Sequence, residues 1–491
     1  MKINKIIPLA LTLFLSGSAS LHATDVKTRL DRSVSDSLLQ NAFIGLDVID
    51  ITSGDTIYQL NADRYFTPAS NLKLFTSAAA LELLGPNFRF KTEFYYDGKI
   101  DRKGRLKGAL IIKGGGDPLI SGRFRSHITE ILECWADSLN SRGIRQIDGG
   151  ITVDNSYFKG PKLGPGWSLD DLSYWYACPI SALSFNDNCV DLKFYPGKRA
   201  GDPAIIIFDP ITDYITIQNN AVTLPPDSSF TLDYYRIPNT NNITFFGGIA
   251  ANDTSGRIDY VSIDKPEIYC ATVLCDVLYS KGIKVKKDIK LLSDRDSKPI
   301  LDNVYQNATP LFNWQSDSLG EVIKVINTNS QNFFAEQTLK TIGAEKGSEG
   351  DFAGGIKAVR QFFESIGIKE GDLVMYDGSG LSYMNMVKPS AIIRVLSYMS
   401  TTPNFDVYIL SLACPAVDKS LKNRLKDVPN RQTVRVKTGY IANTSTFSGY
   451  AKDPKTNHVL AFSIMVNHYD CPKSSVEVWE DSVVAAMLEE F

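Results

Sequence analysis

Thr67-Pro68-Ala69-Ser70-Asn71-Leu72-Lys73-Leu74-Phe75-Thr76-Ser77-Ala78-Ala79-Ala80-Leu81-Glu82-Leu83-Leu84 is the stretch on which the rest of the chain is read. Pro68 stands just ahead of an apolar, alanine-rich run and Gly85-Pro86 follows it, so the pattern predicts one buried helix with a marked start and stop. Ser70 and Lys73 stand at its head, three residues apart, which a helix makes neighbours. A serine hydroxyl becomes a nucleophile when a nearby base takes its proton. A lysine can be that base when burial and neighbouring charges lower its pKa. Ser-x-x-Lys recurs at Ser156–Lys159 and Ser262–Lys265. The first lies in a Gly/Pro-rich stretch and the second runs into Pro266, so neither is read as opening a helix. Taken alone, Ser70 is equally open to an ordinary helix start.

The 491 residues allow two to four domains. With 22% charged residues and a formal net charge of −3, the composition is that of a soluble globular protein. It points to neither nucleic acid nor an anionic membrane surface as a partner. Lys2 and Lys5, then the short apolar run from Ile6 to Leu15, then small residues predict a secretory signal peptide over 1–23, cleaved after Ala23. No later run is long and apolar enough for a membrane span. The seven cysteines (134, 178, 189, 270, 275, 414 and 471) form no Cys-x-x-Cys pair and no zinc-type cluster. An exported chain can form disulfides, and Cys178 and Cys189 could pair across a loop; buried free thiols are the alternative.

Along the chain, a helix and then two strands, Ile44 to Asp50 and Thr56 to Leu60, precede the Ser70 helix. The strand Ala109 to Lys113 runs into Gly114-Gly115-Gly116-Asp117-Pro118, read as a tight turn because no Gly-Lys-Ser/Thr follows to cradle phosphate. A helix spans about 128–141. Residues 189–262 carry many short strands, the mark of a small β-rich module inserted in another. Cys270 to Lys281 reads as a helix and 283–292 as a strand. After about 305 helices dominate until the strand Thr433 to Gly439, the strands Thr446 to Ala451 and Val459 to Asn467, and a last helix from Ser475 to Leu488.

Three motifs thus stand in order: Ser70-x-x-Lys73, Ser330-Gln331-Asn332 and Lys437-Thr438-Gly439. They resemble the motif set of class A β-lactamases and penicillin-binding proteins, with Gln331 where that set has Asp. Ser184-Phe185-Asn186 is a second Ser-x-Asn, but it lies beside the strand-rich insertion, and Ser330 is preferred. The chemistry is acyl transfer. Ser70 attacks a carbonyl and Lys73 removes its proton. Ser330 can relay that proton to the leaving amine. Asn332 can bind a substrate amide. Lys437 and Thr438 can hold a carboxylate. The backbone N–H groups of Ser70 and Tyr440 suit the developing oxyanion. A histidine-based hydrolase does not fit: the chain after residue 23 has only His127, His458 and His468, and no Gly-x-Ser-x-Gly.

Ser70 and Ser330 are 260 residues apart, far more than in a compact β-lactamase. The chain resembles the low-molecular-mass class C penicillin-binding proteins, the D-alanyl-D-alanine carboxypeptidase/endopeptidase family. Pro68 to Lys73, Gly115 to Pro118, Ser181 to Ser184, Asn332 to Glu336, Asp377 to Ser382 and Lys437 to Gly439 carry the resemblance. It implies an α/β (α+β) multi-domain fold: a transpeptidase-like serine hydrolase domain (24–92 and 301–491) with a large two-part insertion. That insertion would comprise 93–188 and 263–300, with a nested β-rich domain at 189–262. It also implies a periplasmic enzyme that removes terminal D-Ala from peptidoglycan stem peptides, cleaves cross-links, is acylated by β-lactam antibiotics, and needs no metal or organic cofactor. Asp171, after Trp167, matches an acidic residue that faces the substrate's amino-bearing side chain; a helix cap is its other reading. Two departures stand out: Tyr440 where the family often has a hydroxyl residue, and Ala416 to Leu421 where it has a glycine-rich stretch, although Arg424 remains. A β-lactamase or esterase on the same motifs, or a catalytically weak wall-binding scaffold, are the competing readings.

Overall fold

The computed structural model describes residues 26–293, 298–428, 430–452 and 457–488. The expected signal peptide lies outside them. The chain divides into two compact units: residues up to 74 with 371–373 and 386 onward, and residues 75–370 with 374–385.

The first unit is built on a five-stranded antiparallel sheet in the order Thr56–Leu60, Phe43–Asp50, Val459–Asn467, Thr444–Lys452, Val434–Ile441. Alternate residues of a strand face opposite sides, and here the two sides differ in chemistry. Leu46, Val48, Phe462, Ile464, Val436 and Phe447 form one face. It is covered by Val26 and Leu30 of the helix over 26–34 and by Trp479, Val483 and Met487 of the helix Lys473–Leu488. Each such fully buried large apolar side chain contributes about 1.5–3 kcal/mol. The opposite face carries Gly45, Asp47, Ser448, Ser463 and Lys437. A Cβ on Gly45 would lie 2.9 Å from Pro389 of the helix Pro389–Met399, so glycine lets that helix sit down on the sheet.

The second unit holds one mixed five-stranded sheet, ordered Ile289–Leu292, Ile151–Asp154, Leu110–Lys113, Lys91–Tyr96, Thr309–Gln315. The helices Glu130–Ser141 and Pro266–Ser280 bury Trp135, Leu139, Tyr269 and Leu274 in the same core. A smaller four-stranded sheet follows the order Lys284–Val285, Gln146–Ile147, Arg105–Lys107, Lys99–Ile100. The strand-rich stretch supplies Cys189–Tyr195 between Ile205–Asp209 and Arg257–Ser262, and further small sheets. The helices Lys298–Gln306, Leu319–Thr328, Asn332–Lys346 and Phe352–Ser365 also belong to this unit.

Three local readings change. A helix does begin right after Ser262-x-x-Lys265: Pro266 takes its first turn, and Lys265 at φ 50 is its N-cap. Ser262 is nevertheless spoken for, because its hydroxyl is buried and donates to the Leu172 carbonyl. The single strand read over 283–292 is two, in two different sheets. The strand bearing Lys437 runs on to Ile441, because Tyr440 and Ile441 still pair with Ser445 and Thr444. The cysteines are free thiols; Cys178 and Cys189 are buried and unbridged, and Cys189 Sγ donates to the Asp187 carbonyl (3.4 Å).

Candidate active site

In the first unit the chain reaches Ser70 through a strained turn. Ala69 sits at φ 45, in the left-handed region that costs a non-glycine residue on the order of 1 kcal/mol. A short 3-10 helix, Ala69–Leu72, then passes into the α-helix Lys73–Leu83. The turn is anchored to the polar face of the sheet: Asn71 Nδ2 donates to Ser448 Oγ (2.8 Å), and Thr446 Oγ1 donates to the Pro68 carbonyl (3.1 Å). Ser70 stays half-exposed, while Lys73 is fully buried with its Nζ donating to Ser70 Oγ at 2.9 Å. The expected serine–lysine pair is therefore formed.

Lys437 is also buried, and its Nζ donates to the Thr438 carbonyl (2.8 Å). Burial, and then the charge of Lys73, hold Lys437 well below the usual lysine range. Two residues on, Gly439 runs hard against the Ser70 turn. A Cβ there would lie 2.2 Å from Thr446 Oγ1, 2.9 Å from the Ser70 nitrogen and 3.0 Å from the Pro68 oxygen. This strand is the edge of the sheet. Val436 spends its outward N–H and C=O on Ala413. Alternation then points the Tyr440 N–H out of the same edge, while its exposed ring lies 4.8 Å from Lys473 Nζ. The altered stretch Ala416 to Leu421 closes through the Asp418 carboxylate, which accepts from the Cys414 N–H (2.6 Å). Arg424 is buried on Glu480 and Asp481 (2.8 Å each) and over Phe447, as a structural tie.

In the second unit Ser330 takes φ 56 between two helices, and Gln331 is the N-cap of Asn332–Lys346. Asn332 Nδ2 donates to the Tyr176 carbonyl (2.8 Å), and the Tyr176 hydroxyl donates to Asp171 (3.1 Å). Asp171 is half-buried, which pushes its carboxyl up. Thus Asp171 and Asn332 share one bridge, Tyr176. Gln331 Nε2 donates to Asp187 Oδ2 (3.1 Å), and the same oxygen takes Arg123 Nε at 2.6 Å. Burial pushes the Asp187 carboxyl up against the pull of Arg123. Asp187 lies in a run of three left-handed residues, Asn186 to Asn188. Ser184, the set-aside serine, is buried and donates to the Ser181 carbonyl.

Tyr176, Asp187 and Arg123 were not singled out by the sequence reading, and no local pattern marks them. Glu336 ends the motif Asn332 to Glu336, and nothing in that motif marks a role for it of its own. It is fully buried and accepts from the Gly378 and Ser379 N–H groups (2.8 Å each). Burial and the neighbouring Asp377 push it up to about 8. Asp377 accepts in turn from Trp167 Nε1 (3.0 Å). Among the described residues no group of three or more His, Cys, Asp or Glu is arranged to hold a metal. Ser126 contacts His127 (2.9 Å), but on an exposed helix start where it also bonds Glu130.

A serine held by a buried lysine, beside a Lys-Thr-Gly edge strand of an antiparallel sheet, defines a serine hydrolase of the penicillin-binding type. The model of the D-Ala-D-Ala carboxypeptidase 3 (S13) family matches residues 26–484. The chain is 29% identical over 469 residues to the D-alanyl-D-alanine carboxypeptidase of Actinomadura sp., covering 93% of this chain and 84% of that one. It is 24% identical over 474 residues to the D-alanyl-D-alanine carboxypeptidase DacB of Haemophilus influenzae, covering 94% and 91%. The fold matches the crystal structure of penicillin binding protein 4 from H. influenzae with a TM-score of 0.78 at 22% identity, over 94% of this chain and 98% of that one. The chain belongs to the D-Ala-D-Ala carboxypeptidase 3 (S13) family.

Proposed function

We propose that the protein is a periplasmic DD-peptidase that trims the terminal D-Ala from peptidoglycan stem peptides and opens D-Ala cross-links through a Ser70 acyl-enzyme. The carrying observation is the 2.9 Å bond from Lys73 Nζ to Ser70 Oγ, in the unit that also buries Lys437. Ser70 Oγ attacks the carbonyl carbon between the two D-Ala residues, and Lys73 takes its proton. The Ser70 and Tyr440 N–H groups receive the oxyanion. The C–N bond breaks, the leaving amine takes a proton by way of Ser330, and water then hydrolyses the ester. Lys437 and Thr438 hold the terminal carboxylate; Asn332 binds a substrate amide; Asp171 reads the stem-peptide side chain. The β-lactam bound to penicillin binding protein 4 of H. influenzae supports penicillin as an acylating analogue here. Export rests on the N-terminal pattern of Lys2, Lys5 and the apolar run.

The test is intact mass after incubation with benzylpenicillin, followed by D-Ala release from muropeptides. A stable single adduct mapped to the Ser70 peptide, absent in Ser70→Ala, is expected. Lys73→Ala should slow acylation by at least about a hundredfold. Rapid penicillin loss without an adduct would move the assignment to a β-lactamase, and an intact antibiotic with no adduct would sink the acyl-enzyme.

A further inference from the structure

The four-stranded sheet of the second unit has two faces of opposite character. Ile100, Leu106, Ile147 and Val285 point inward and join the core. The register places Lys99 opposite Lys107, and Arg105 and Lys284 on either side of Gln146. Four of these five outward positions are cations and none is a carboxylate. Like charges facing each other across strands destabilise a sheet, so nothing in folding favours this choice. The face continues into an open hollow of about 720 Å³, lined by Asp101, Arg102, Lys103, Arg105, Arg145 and Lys284 among others. All seven cations are exposed; Asp101 lines the hollow, Asp148 pairs with Arg105, and Asp97 lies on the same hairpin with its carboxylate on the Ala109 N–H. Only Arg105 is ion-paired, to Asp148 at 2.8 Å; among the described residues Lys99, Arg102, Lys103, Lys107, Arg145 and Lys284 make no ion pair. Seven cations against three carboxylates is a strong local excess in a chain whose net charge is −3.

We propose that this face is an exosite for the polyanionic wall polymer, separate from the residues that cleave it. The inference rests on the peptidoglycan reading given above. Stem peptides end in carboxylates, repeated along an insoluble mesh. A field about 14 Å across, four strands at about 4.8 Å spacing, can engage several of them at once. A membrane surface fits less well: no residue lining the hollow is apolar, and stable interfacial binding draws on apolar side chains as well as charge.

The experiment compares full-length mature Ser70→Ala protein, which leaves the polymer intact, with the same protein carrying Lys99→Glu, Lys107→Glu and Lys284→Glu. Binding to purified sacculi should weaken at least about tenfold and fall with added salt in the parent. The corresponding triple Gln variant should lie between them, with thermal melting close to the parent as the check on folding. With Ser70 restored, the Glu triple variant should keep the parent's rate on a soluble pentapeptide and show a raised KM, with unchanged kcat, on sacculi. Equal sacculus binding in all three proteins would overturn the proposal. So would binding to phosphatidylglycerol vesicles in place of sacculi. Absence of D-Ala release from every substrate would instead overturn the carboxypeptidase reading, while the sacculus comparison still decides the exosite.

Discussion

Gly439 shows how one absent methyl group lets the Lys-Thr-Gly strand lie against the Ser70 turn. The sequence marks Lys-Thr-Gly as a motif, but the need for its glycine appears only in the fold, where a Cβ at 439 would come within 2.9 Å of the Ser70 nitrogen. A Gly439→Ala variant must push the edge strand away from the turn that carries Ser70. Benzylpenicillin acylation should fall about a hundredfold or more, the scale of a lost oxyanion donor, while far-UV circular dichroism stays native. Acylation at the parent rate would show that the strand has room to give. Ser70 and Lys73 were legible because three residues of helix suffice to bring them together. The close passage of Gly439 was not, because it depends on a strand more than 360 residues further along.

At the level of elements, the second motif is held from outside its own helix. Its supports lie far off in sequence: Tyr176 is 156 residues from Asn332, and Asp187 is 144 from Gln331. That distance is why motif reading found Ser330 and Asn332 and missed what steadies them. The glutamine in place of the usual aspartate now has a physical reason. Asp187 already balances Arg123, and a carboxylate at 331 would face it at hydrogen-bond distance. Gln331→Glu should therefore cut acylation about tenfold, and adding Asp187→Asn should restore much of it; a double variant worse than either single one would refute the pairing. The loop from Asp377 to Ser382 is fastened by Glu336 in a similar way. With its folded pKa near 8 and its unfolded value near 4.5, Glu336 binds a proton more readily in the native state. Its contribution to stability is full below about pH 4.5 and is lost as pH rises through 8. Glu336→Gln should flatten the fall in melting temperature between pH 5 and pH 8; an unchanged slope would assign that fall to other groups.

For the molecule as a whole, composition gave the class of protein but concealed its charge map. A net charge of −3 spoke against anionic partners, because the cations of one small sheet are outweighed elsewhere in the chain. Strand alternation in Lys99-Ile100 and Arg105-Leu106-Lys107 was readable, but the arrival of Lys284 on the same face was not, since the pairings through Gln146 join segments far apart in the chain. The cysteines behave likewise: their number is in the sequence, their accessibility only in the fold. Cys134 is exposed and Cys471 partly so, whereas the other five are buried, and burial pushes Cys275 up to about 11. A maleimide reagent should label Cys134 first and Cys471 next, with the others reacting only on unfolding. Early labelling of Cys178 or Cys189 would mean that the loop behind Asn332 opens in the native protein.

The left-handed alanine ahead of Ser70 carries a lesson for anyone seeking a hardier version of this enzyme. Ala69→Gly is the sort of change a stabilisation campaign selects, since it relieves a residue at φ 45 and could add up to about 1 kcal/mol. The turn it loosens is the one that presents Ser70 to Lys73. The gain in melting temperature would come with slower turnover, so durability and catalytic speed are set against each other at a single methyl group.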